Sequence, residues 1–199
     1  VDGTSAVTIN GKAYPTKHID ENKLYVYLPA KTAQALNADM RVAANSGLKT
    51  KDAVSRLIDA GNWDYENNKA DVVVINLGTN DKWVIWDDGD NDSTTAASAA
   101  TELGIANEKA AIIAMLDAVR AKYGADTKIV WVYGMMGNGL ADYIQPVVEE
   151  YAENDDNVYY CELPANTAGG GSHPTEEGHA AAAQELVDFI DAYVLLFML

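Results

Sequence analysis

The chain has 199 residues, of which 48% are apolar, and this length and composition are typical of one globular domain with a full core. Its formal net charge of −16 disfavours nucleic acids and anionic membranes as partners, because both would repel it. The single cysteine, Cys161, excludes an internal disulfide and a cysteine-based metal cluster, and no apolar run has the length of a membrane span.

The N-terminal part of the chain is predicted to contain a loop, a helix and a short strand. Residues 1–23 are polar and weakly patterned, which favours a loop. Apolar residues then fall near helical spacing over 25–36, where Pro29 limits how early the helix begins. The sequence MRVAA at 40–44 is typical of a short strand.

A turn and a second helix are predicted to follow that strand. The turn is Asn45-Ser46-Gly47. Thr50 is predicted to cap a helix over 51–60, and Gly61 is predicted to end it, because glycine readily adopts the left-handed conformation found at helix C-termini.

The stretch DVVVINLGTND, from Asp71 to Asp81, predicts a buried strand with a polar tip. Its apolar residues are interrupted only by Asn76, so the pattern alternates too little for a solvent-exposed face. The strand ends at Gly78. In open α/β sheets ligands bind beyond the carboxyl ends of the strands, which makes this tip the expected place for chemistry.

The rest of the chain alternates helices and strands. The predicted elements are a helix over 99–123 ended by Gly124, a strand at 128–133, a helix over 140–153, a strand at 158–163 and a helix over 175–193. This alternation predicts a single α/β domain with three layers, α/β/α, around a mainly parallel, flavodoxin-like sheet.

Four residues are candidates for acyl-transfer chemistry at the carboxyl edge of this sheet. His173 lies between a glycine-rich loop and Pro174, and a histidine there is either a general base or a surface residue. Asn80 offers a side-chain amide and Gly47 a backbone N–H for a developing oxyanion, although Asn80 is equally explained as a turn residue. Ser46, beside Gly47, is a candidate nucleophile.

Three sequence blocks resemble those of the SGNH (GDSL-type) hydrolases. They are Gly78-Thr79-Asn80-Asp81, the pair His173-Pro174 followed by Gly178-His179, and Ala44-Asn45-Ser46-Gly47-Leu48. More narrowly, VVVINLGTND and ELPANTAGGGSHPTEEGH resemble carbohydrate esterase family 2, whose members are acetyl esterases acting on plant polysaccharides.

The resemblance implies a role for each matched position. His173 would take the proton of a serine nucleophile, and Asn80 and Gly47 would stabilise the oxyanion. It also implies an acetylated saccharide as substrate, an extracellular or cell-surface bacterial location, and no metal or organic cofactor. The other predicted substrate contacts are Gly78, Thr79, Asp81, Trp83 and Trp86.

Two departures from the family pattern concern the catalytic residues. The chain contains no Gly-Asp-Ser motif, and matching the blocks would put that strand and its serine upstream of Val1, so the domain is expected to lack the family's first strand. The aspartate that usually precedes the histidine is replaced by Gly170 and Gly171; a main-chain carbonyl is thought to take its role in some family members.

Three interpretations of the missing serine are therefore open. The chain is part of a longer esterase whose nucleophile lies outside it, or Ser46 replaces that nucleophile, or the chain is a non-catalytic, saccharide-binding relative. Ser5 is a weaker candidate nucleophile, because no strand precedes it.

Two further segments have both an ordinary and a functional interpretation. Asp88, Asp90 and Asp92 alternate as calcium ligands do, but the loop lacks the glycine and glutamate of an EF-hand and is more simply a solvated acidic loop. The apolar tail VLLFML at 194–199 is either the continuation of the last helix or a strand that fills the gap between strands 40–45 and 71–77.

Overall fold

The structure, a computed structural model, describes residues 6–9, 12–15, 27–61, 64–86 and 99–194. Its strands are β1 (Ala6–Ile9), β2 (Lys12–Pro15), β3 (Val72–Asn76), β4 (Lys128–Tyr133) and β5 (Val158–Glu162). The last three form a parallel sheet in the order β3-β4-β5, in which Val72 lies opposite Lys128 and Ile129 opposite Val158. β1 and β2 pair with each other as an antiparallel hairpin.

Helices connect and cover these strands. They are α1 (Leu28–Ala35), α2 (Thr50–Ala53), α3 (Lys82–Ile85), α4 (Glu102–Tyr123), α5 (Ala141–Ala152) and α6 (Glu176–Phe189). α2 continues into a π-helical turn over Val54–Ile58, and α6 into another over Ile190–Val194. A short 3₁₀ turn, Gly170–Ser172, precedes α6.

The central strand β4 separates two hydrophobic clusters and thereby defines three layers. Ile129, Trp131 and Tyr133 belong to the cluster that also contains buried residues of α2 through α5. Val130 and Val132 point to the opposite face and belong to the cluster formed with α1, α6 and β5. Successive residues of a strand face opposite sides of a sheet, so β4 is covered on both. The predicted three-layer α/β/α fold is confirmed.

β3 is less buried than its sequence predicts. Ile75 is 4% exposed, but Val74 is 39% exposed and Asn76 is also exposed. Val74 and Asn76 lie on the face of the sheet that α1 and α6 cover over β4 and β5. The prediction of a strand without an exposed face is therefore wrong: on that side Val72 packs against the cluster of α1 and α6, but this cluster does not include Val74 or Asn76.

Two predictions near the N-terminus are also wrong. Residues 40–44 form no strand, and Val42 is 44% exposed. A strand needs a partner for its backbone N–H and C=O groups, and none of the described strands pairs with this segment. The loop prediction for 1–23 is wrong at Ala6–Ile9 and Lys12–Pro15, where the β1–β2 hairpin forms.

Helix ends follow the sequence signals at most positions. Pro29 lies in the first turn of α1, Gly124 ends α4 with φ of 88°, and Thr175 caps α6 by accepting from the Gly178 N–H. The prediction that Thr50 caps a helix is wrong. Thr50 is the first residue of α2, after Lys49 at the cap position, and its side chain bonds to Asp81 instead.

The structure describes only the first residue of the apolar tail and none of the three aspartates of the acidic loop. Val194 is buried in the last π-helical turn, so the tail does not begin there as a strand, and residues 195–199 lie outside the described residues. Asp88, Asp90 and Asp92 also lie outside them. Among the described helices, none combines the length and apolar character needed to cross a membrane.

Candidate active site

The turn after β3 is fixed by close packing at Gly78. Its φ is +113°, and a Cβ there would lie 2.5 Å from Ile144 Cδ1 and 3.0 Å from Tyr133 Cδ2. The Asp81 N–H donates to the Gly78 carbonyl over 3.0 Å and closes the turn. Gly78 is buried and has a packing role here, and its substrate contact stays a prediction.

Asp81 holds the turn to the start of α2. Its side chain is 0% exposed. Oδ1 accepts from the Thr50 backbone N–H at 2.9 Å, and Oδ2 accepts from the Thr50 hydroxyl at 2.5 Å. A fully buried carboxyl group with these partners has a structural role in this conformation, and the substrate contact at Asp81 stays a prediction.

A side-chain hydrogen bond connects the turn of Asn80 to the loop of Gly47. The Asn80 Nδ2 group donates to the Leu48 carbonyl at 3.1 Å, and Leu48 directly follows Gly47. An amide nitrogen carries two hydrogens, so Asn80 retains one N–H for another acceptor. Gly47 has φ of +69° in an exposed turn, and Ser46 and Thr79 are also exposed. Both predicted oxyanion donors therefore lie on connected, accessible loops.

A second buried carboxyl group lies beneath this turn. Glu108 of α4 is 0% exposed, and neither of its carboxyl oxygens has a hydrogen-bond partner in the described part of the chain. Burial, and then the charge of Asp81, raises the pKa of Glu108 to about 8. Glu108 is therefore neutral at pH 7, which avoids placing two negative charges side by side in a buried position.

His173 is oriented by backbone carbonyls rather than by an aspartate. Its Nδ1 lies 3.1 Å from the Gly170 carbonyl and 3.0 Å from the Gly171 carbonyl. A carbonyl only accepts, so these contacts favour the tautomer that carries its hydrogen on Nδ1. In this tautomer of the neutral ring Nε2 is the acceptor nitrogen, as a general base requires, and His173 is exposed to solvent.

The loop that carries His173 is fastened to the carboxyl end of the sheet through Asn166. The Asn166 N–H donates to the Met135 carbonyl at 2.9 Å, beyond the end of β4, and its Oδ1 accepts from the Thr175 N–H at 3.0 Å. Gly178 packs directly against Asn166, since a Cβ at Gly178 would lie 2.5 Å from the Asn166 Cβ. These contacts hold the base and the start of α6 at the sheet edge that also carries Asn80.

His179, the second histidine of the C-terminal block, has a structural contact. Its Nδ1 accepts from the Leu28 N–H at 3.3 Å, and its ring packs edge-on against Tyr27 with 5.0 Å between the ring centroids. It satisfies an N–H at the start of α1 that has no partner within that helix.

The structure joins some of the predicted site residues and leaves others apart. Asn80, Leu48, Thr50 and Asp81 form one hydrogen-bonded unit after β3, whereas His173 follows β5. Both β3 and β5 pair with β4 in parallel, so the turn of Asn80 and the loop of His173 leave the sheet at the same edge. Among the hydrogen bonds of the described residues, none joins Ser46 to His173.

The two tryptophans beside the turn differ in availability. Trp83 is 53% exposed. Trp86 is partly buried, and the Lys82 ammonium lies 4.1 Å from its ring centroid. Trp83 is therefore the better platform for a flat ligand. Within the described residues, no group of three or more His, Cys, Asp or Glu side chains has the arrangement of a metal site.

Sequence reasoning missed Glu108 and the role of Thr50. Glu108 shares the buried side of α4 with Gly104, Ile112 and Met115, and a charged residue on an apolar helical stripe is a recognisable signal of a buried ionisable group. Thr50 carried no such signal, because a threonine before a helix is more simply a cap.

Comparison with known proteins decides the family. The model of the GDSL-like lipase/acylhydrolase family matches residues 12–181. The chain belongs to this family. No curated protein sequence matches it significantly. The family match covers Ser46, Gly47, Asn80 and His173 but not Ser5, and it agrees with the resemblance predicted from the three sequence blocks.

Solved structures of carbohydrate esterases share the fold. An acetyl xylan esterase, Est2A, from the rumen bacterium Butyrivibrio proteoclasticus is 24% identical with a TM-score of 0.69, over 84% of this chain and 55% of that chain. A carbohydrate esterase family 2 enzyme from Corynascus thermopiles (Myceliophthora fergusii) is 19% identical with a TM-score of 0.62, over 85% and 57%.

A third structure, a family two carbohydrate esterase from Cellvibrio japonicus, is 21% identical with a TM-score of 0.59, over 83% of this chain and 51% of that chain. The chain thus spans little more than half the length of these solved relatives. The predicted likeness to carbohydrate esterase family 2 is confirmed at the level of the fold, and the family match supports an esterase function.

Proposed function

We propose that the chain carries the base and the oxyanion donors of a carbohydrate O-acetyl esterase. The observation that supports this most directly is the orientation of His173, an exposed residue whose Nδ1 faces two backbone carbonyls and leaves Nε2 as the acceptor nitrogen. The usual aspartate is absent, but its orienting task is met by Gly170 and Gly171.

In the proposed reaction, a serine hydroxyl attacks the acetyl carbonyl while His173 Nε2 takes the hydroxyl proton. The oxyanion of the tetrahedral intermediate accepts from the free N–H of Asn80 and from the Gly47 N–H. When the intermediate collapses, His173 returns the proton to the departing sugar oxygen. Water then attacks the acyl-enzyme with His173 again as base, which releases acetate and restores the serine.

The nucleophile has two proposed sources. Ser46 is exposed and adjoins Gly47, but it lacks a hydrogen bond to His173 in this conformation. The family's Gly-Asp-Ser motif does not occur in the 199 residues, so the alternative is a serine supplied by sequence outside them. We favour the second source, because in the family that the chain resembles, the block that matches Ala44-Asn45-Ser46-Gly47-Leu48 carries a serine that is not the nucleophile.

The proposed substrate is an acetylated saccharide, bound with a sugar ring against the exposed face of Trp83. Sugar rings stack on aromatic side chains through their C–H faces, and Trp83 lies at the start of α3, three residues after Asn80. Thr79, exposed beside Asn80, offers a hydroxyl to the same ligand. An extracellular or cell-surface location stays a prediction from the family resemblance.

Hydrolysis of p-nitrophenyl acetate and of acetylated xylan tests this function. We expect His173→Ala to abolish turnover, and Asn80→Ala to lower kcat by about 10²–10³-fold, the usual effect of losing one oxyanion donor. Asn67→Ala, an exposed asparagine paired with Asp64, is the matched control and should leave turnover unchanged.

The same assay separates the two sources of the nucleophile. If Ser46 is the nucleophile, Ser46→Ala abolishes turnover by this chain. If the serine is supplied from outside, this chain alone has no turnover, and extending it ahead of Val1 with a strand that ends in Gly-Asp-Ser restores turnover that requires His173. Turnover unaffected by His173→Ala would contradict the proposal.

A saccharide-binding role without catalysis is the second candidate, and the 53% exposure of Trp83 favours it. Binding of acetylated and plain oligosaccharides, measured by quenching of tryptophan fluorescence, distinguishes the two roles. Binding that is lost in Trp83→Ala, together with no turnover in any extended form of the chain, would support the binding module over the esterase.

A further inference from the structure

The turn that carries Asn80 rests on a buried group that the proposed reaction does not use. Asp81 is bonded twice to Thr50, and Glu108 lies buried on α4 with Asp81 and Thr50 as the polar side chains that act on it. The cluster of Asp81, Thr50 and Glu108 lies next to the hydrogen bond that connects the turn of Asn80 to the loop of Gly47.

Close packing brings α4 to this position. A Cβ at Gly104 would lie 2.1 Å from the Ile85 carbonyl oxygen, so α4 approaches the end of α3 as closely as a glycine permits. The Thr101 N–H also donates to the Ile85 carbonyl at 3.0 Å. Glu108 lies one helical turn after Gly104 on the same side of α4, which directs its carboxyl group beneath the turn.

We propose that Glu108 is a positioning residue for the two oxyanion donors: its fully buried carboxyl group, whose oxygens have no hydrogen-bond partner among the described residues, supports the contact between Asp81 and Thr50 that keeps the loop of Gly47 against the turn of Asn80. This inference rests on the proposed function for its catalytic meaning. Its structural part, the coupling of Glu108 to the Thr50–Asp81 contact, is independent of catalysis.

Hydrogen bonding decides which carboxyl group carries the charge. Asp81 accepts from the N–H and the hydroxyl of Thr50, and both bonds favour its ionised form, although burial raises its pKa. For Glu108, burial, the charge of Asp81 and the contact with the Asp81 side chain raise the pKa, and only the Thr50 side chain lowers it. Since the two groups interact, they titrate as a pair, and the bonds from Thr50 place the proton on Glu108.

The neighbouring charges are consistent with one net negative charge at this position. The Lys49 ammonium lowers the pKa of Asp81 and the Asp52 carboxylate raises it, so their effects oppose each other. Tyr133, from β4, faces the same cluster; burial raises its pKa, as do the charges of Asp81 and Glu108. Its hydroxyl oxygen accepts from the Leu140 N–H at 3.2 Å.

Ionising Glu108 therefore places a second negative charge against Asp81, with no described cation bonded to either carboxylate. Repulsion between the two carboxylates should weaken the hydrogen bonds from Thr50 to Asp81. The loop of Gly47 and Leu48, which precedes Thr50, is then held less firmly against the turn of Asn80. The Asn80 bond to the Leu48 carbonyl depends on that loop. Both oxyanion donors should move together when Glu108 ionises.

Nuclear magnetic resonance of the intact chain tests this coupling. We expect the Glu108 side-chain carbon, the Thr50 methyl group and the Asn80 side-chain carbonyl carbon to shift in one step with a shared midpoint near pH 8. In Glu108→Gln, which is neutral at every pH, the steps at Thr50 and Asn80 should disappear. Glu102→Gln, an exposed change on the same helix, is the matched control and should retain them.

Two results would overturn the proposal. One is a Glu108 carbon that titrates below pH 5; the other is a step at Thr50 and Asn80 that persists in Glu108→Gln. If Glu108→Gln does not fold, the wild-type titration still decides, because a midpoint of Glu108 that Thr50 and Asn80 do not share contradicts the coupling.

Turnover tests the catalytic meaning separately, in the form of the chain that hydrolyses acetyl esters. We expect kcat of the wild type to fall above about pH 8 while KM changes little, and Glu108→Gln to lack this fall. Absence of turnover in every form would contradict the proposed esterase function while leaving the resonance step intact, so the two failures are distinguishable.

Discussion

β3 and β4 are neighbouring parallel strands of similar apolar sequence, yet their side chains are buried to very different extents. In β4, Trp131 is 0% exposed and Tyr133 3% exposed, whereas in β3 Val74 is 39% exposed. β4 has a strand on each side and helices on both faces. Among the described strands β3 pairs with β4 alone, and on its second face Val72 packs against the cluster of α1 and α6 while Val74 and Asn76 are exposed.

The difference shows that an apolar strand becomes a core strand through its neighbours. It also separates two ways of holding the carboxyl end of a strand. β4 is stabilised by apolar burial, whereas the turn after β3 is held by hydrogen bonds to a buried charge at Asp81. The first kind of contact is insensitive to pH and the second is not.

The largest expected difference between the strands is in the free energy of unfolding that is lost when a side chain is truncated to alanine. Trp131→Ala in β4 should lower the free energy of unfolding by about 3–5 kcal/mol, because it removes a fully buried side chain and leaves a cavity. Val74→Ala in β3 should lower it by less than about 1 kcal/mol. Urea denaturation measures both; equal losses would mean that Val74 is buried in solution.

A pH dependence should follow from the carboxyl pair after β3. The pKa of Glu108 is raised above 4.5, so the folded chain holds a proton that the unfolded chain has released between pH 4.5 and about 8. The free energy of unfolding should therefore decrease as pH rises through this range, by about 1 kcal/mol per unit, and level off above it.

Glu108→Gln should remove this part of the pH dependence, and the exposed change Glu102→Gln should not. The measurement is urea denaturation at a series of pH values. An unchanged slope in Glu108→Gln would mean that the buried carboxyl group does not titrate as the geometry requires.

The glycines that end β3 and β4 provide a smaller contrast. Both have positive φ, 113° at Gly78 and 124° at Gly134. A Cβ at Gly134 would meet the Leu163 backbone carbonyl oxygen at 2.3 Å, whereas a Cβ at Gly78 would meet the end of the Ile144 side chain at 2.5 Å. A side chain can move and a paired backbone cannot.

Gly134→Ala should therefore destabilise the fold more than Gly78→Ala, by a difference of about 1 kcal/mol, with both losses in the range typical of overpacking. Thermal or urea denaturation of the two variants side by side checks the order. The reverse order would show that Ile144 cannot rearrange.

The smallest effect is expected on the face that α1 and α6 cover. Burial lowers the pKa of His179, whose neutral Nδ1 accepts from the Leu28 N–H. This contribution to stability should be present above pH 6.5 and be lost as pH falls through the lowered value, with a total of about 1 kcal/mol or less. His179→Ala should lose it, while His173→Ala, an exposed histidine, should keep it.

Periodicity predicted most of the fold. The predicted spans of the strands 128–133 and 158–163 and of the helices over 99–123, 140–153 and 175–193 lie within a few residues of the observed ends. These segments carry their own signals, such as Gly124 and the Thr175 cap. The absence of a strand at 40–44 was not predictable in this way, because strand formation depends on a partner strand elsewhere in the chain.

The candidate site was predicted in part. The sequence blocks identified Asn80, Gly47 and His173, and the structure places Asn80 beside the Gly47 loop through the Leu48 carbonyl. Their catalytic roles stay a prediction. The substrate contacts assigned to Gly78 and Asp81 also stay a prediction. The burial of both residues was not predictable, because a polar or small residue in a turn can face either the solvent or the interior, and only its packing decides which.

The sequence by itself determined the α/β alternation, the polar tip after β3 and the family, since each follows from local periodicity and short motifs. Only the tertiary structure decided that Val74 and Asn76 of β3 are exposed and that the Gly170 and Gly171 carbonyls orient His173. It also decided that Asp81 and Glu108 are buried next to each other. The physical reason is that burial and pKa depend on neighbours far apart in the chain. Asp81 meets Thr50 and Glu108 because three separate elements pack together, and no local pattern encodes that meeting.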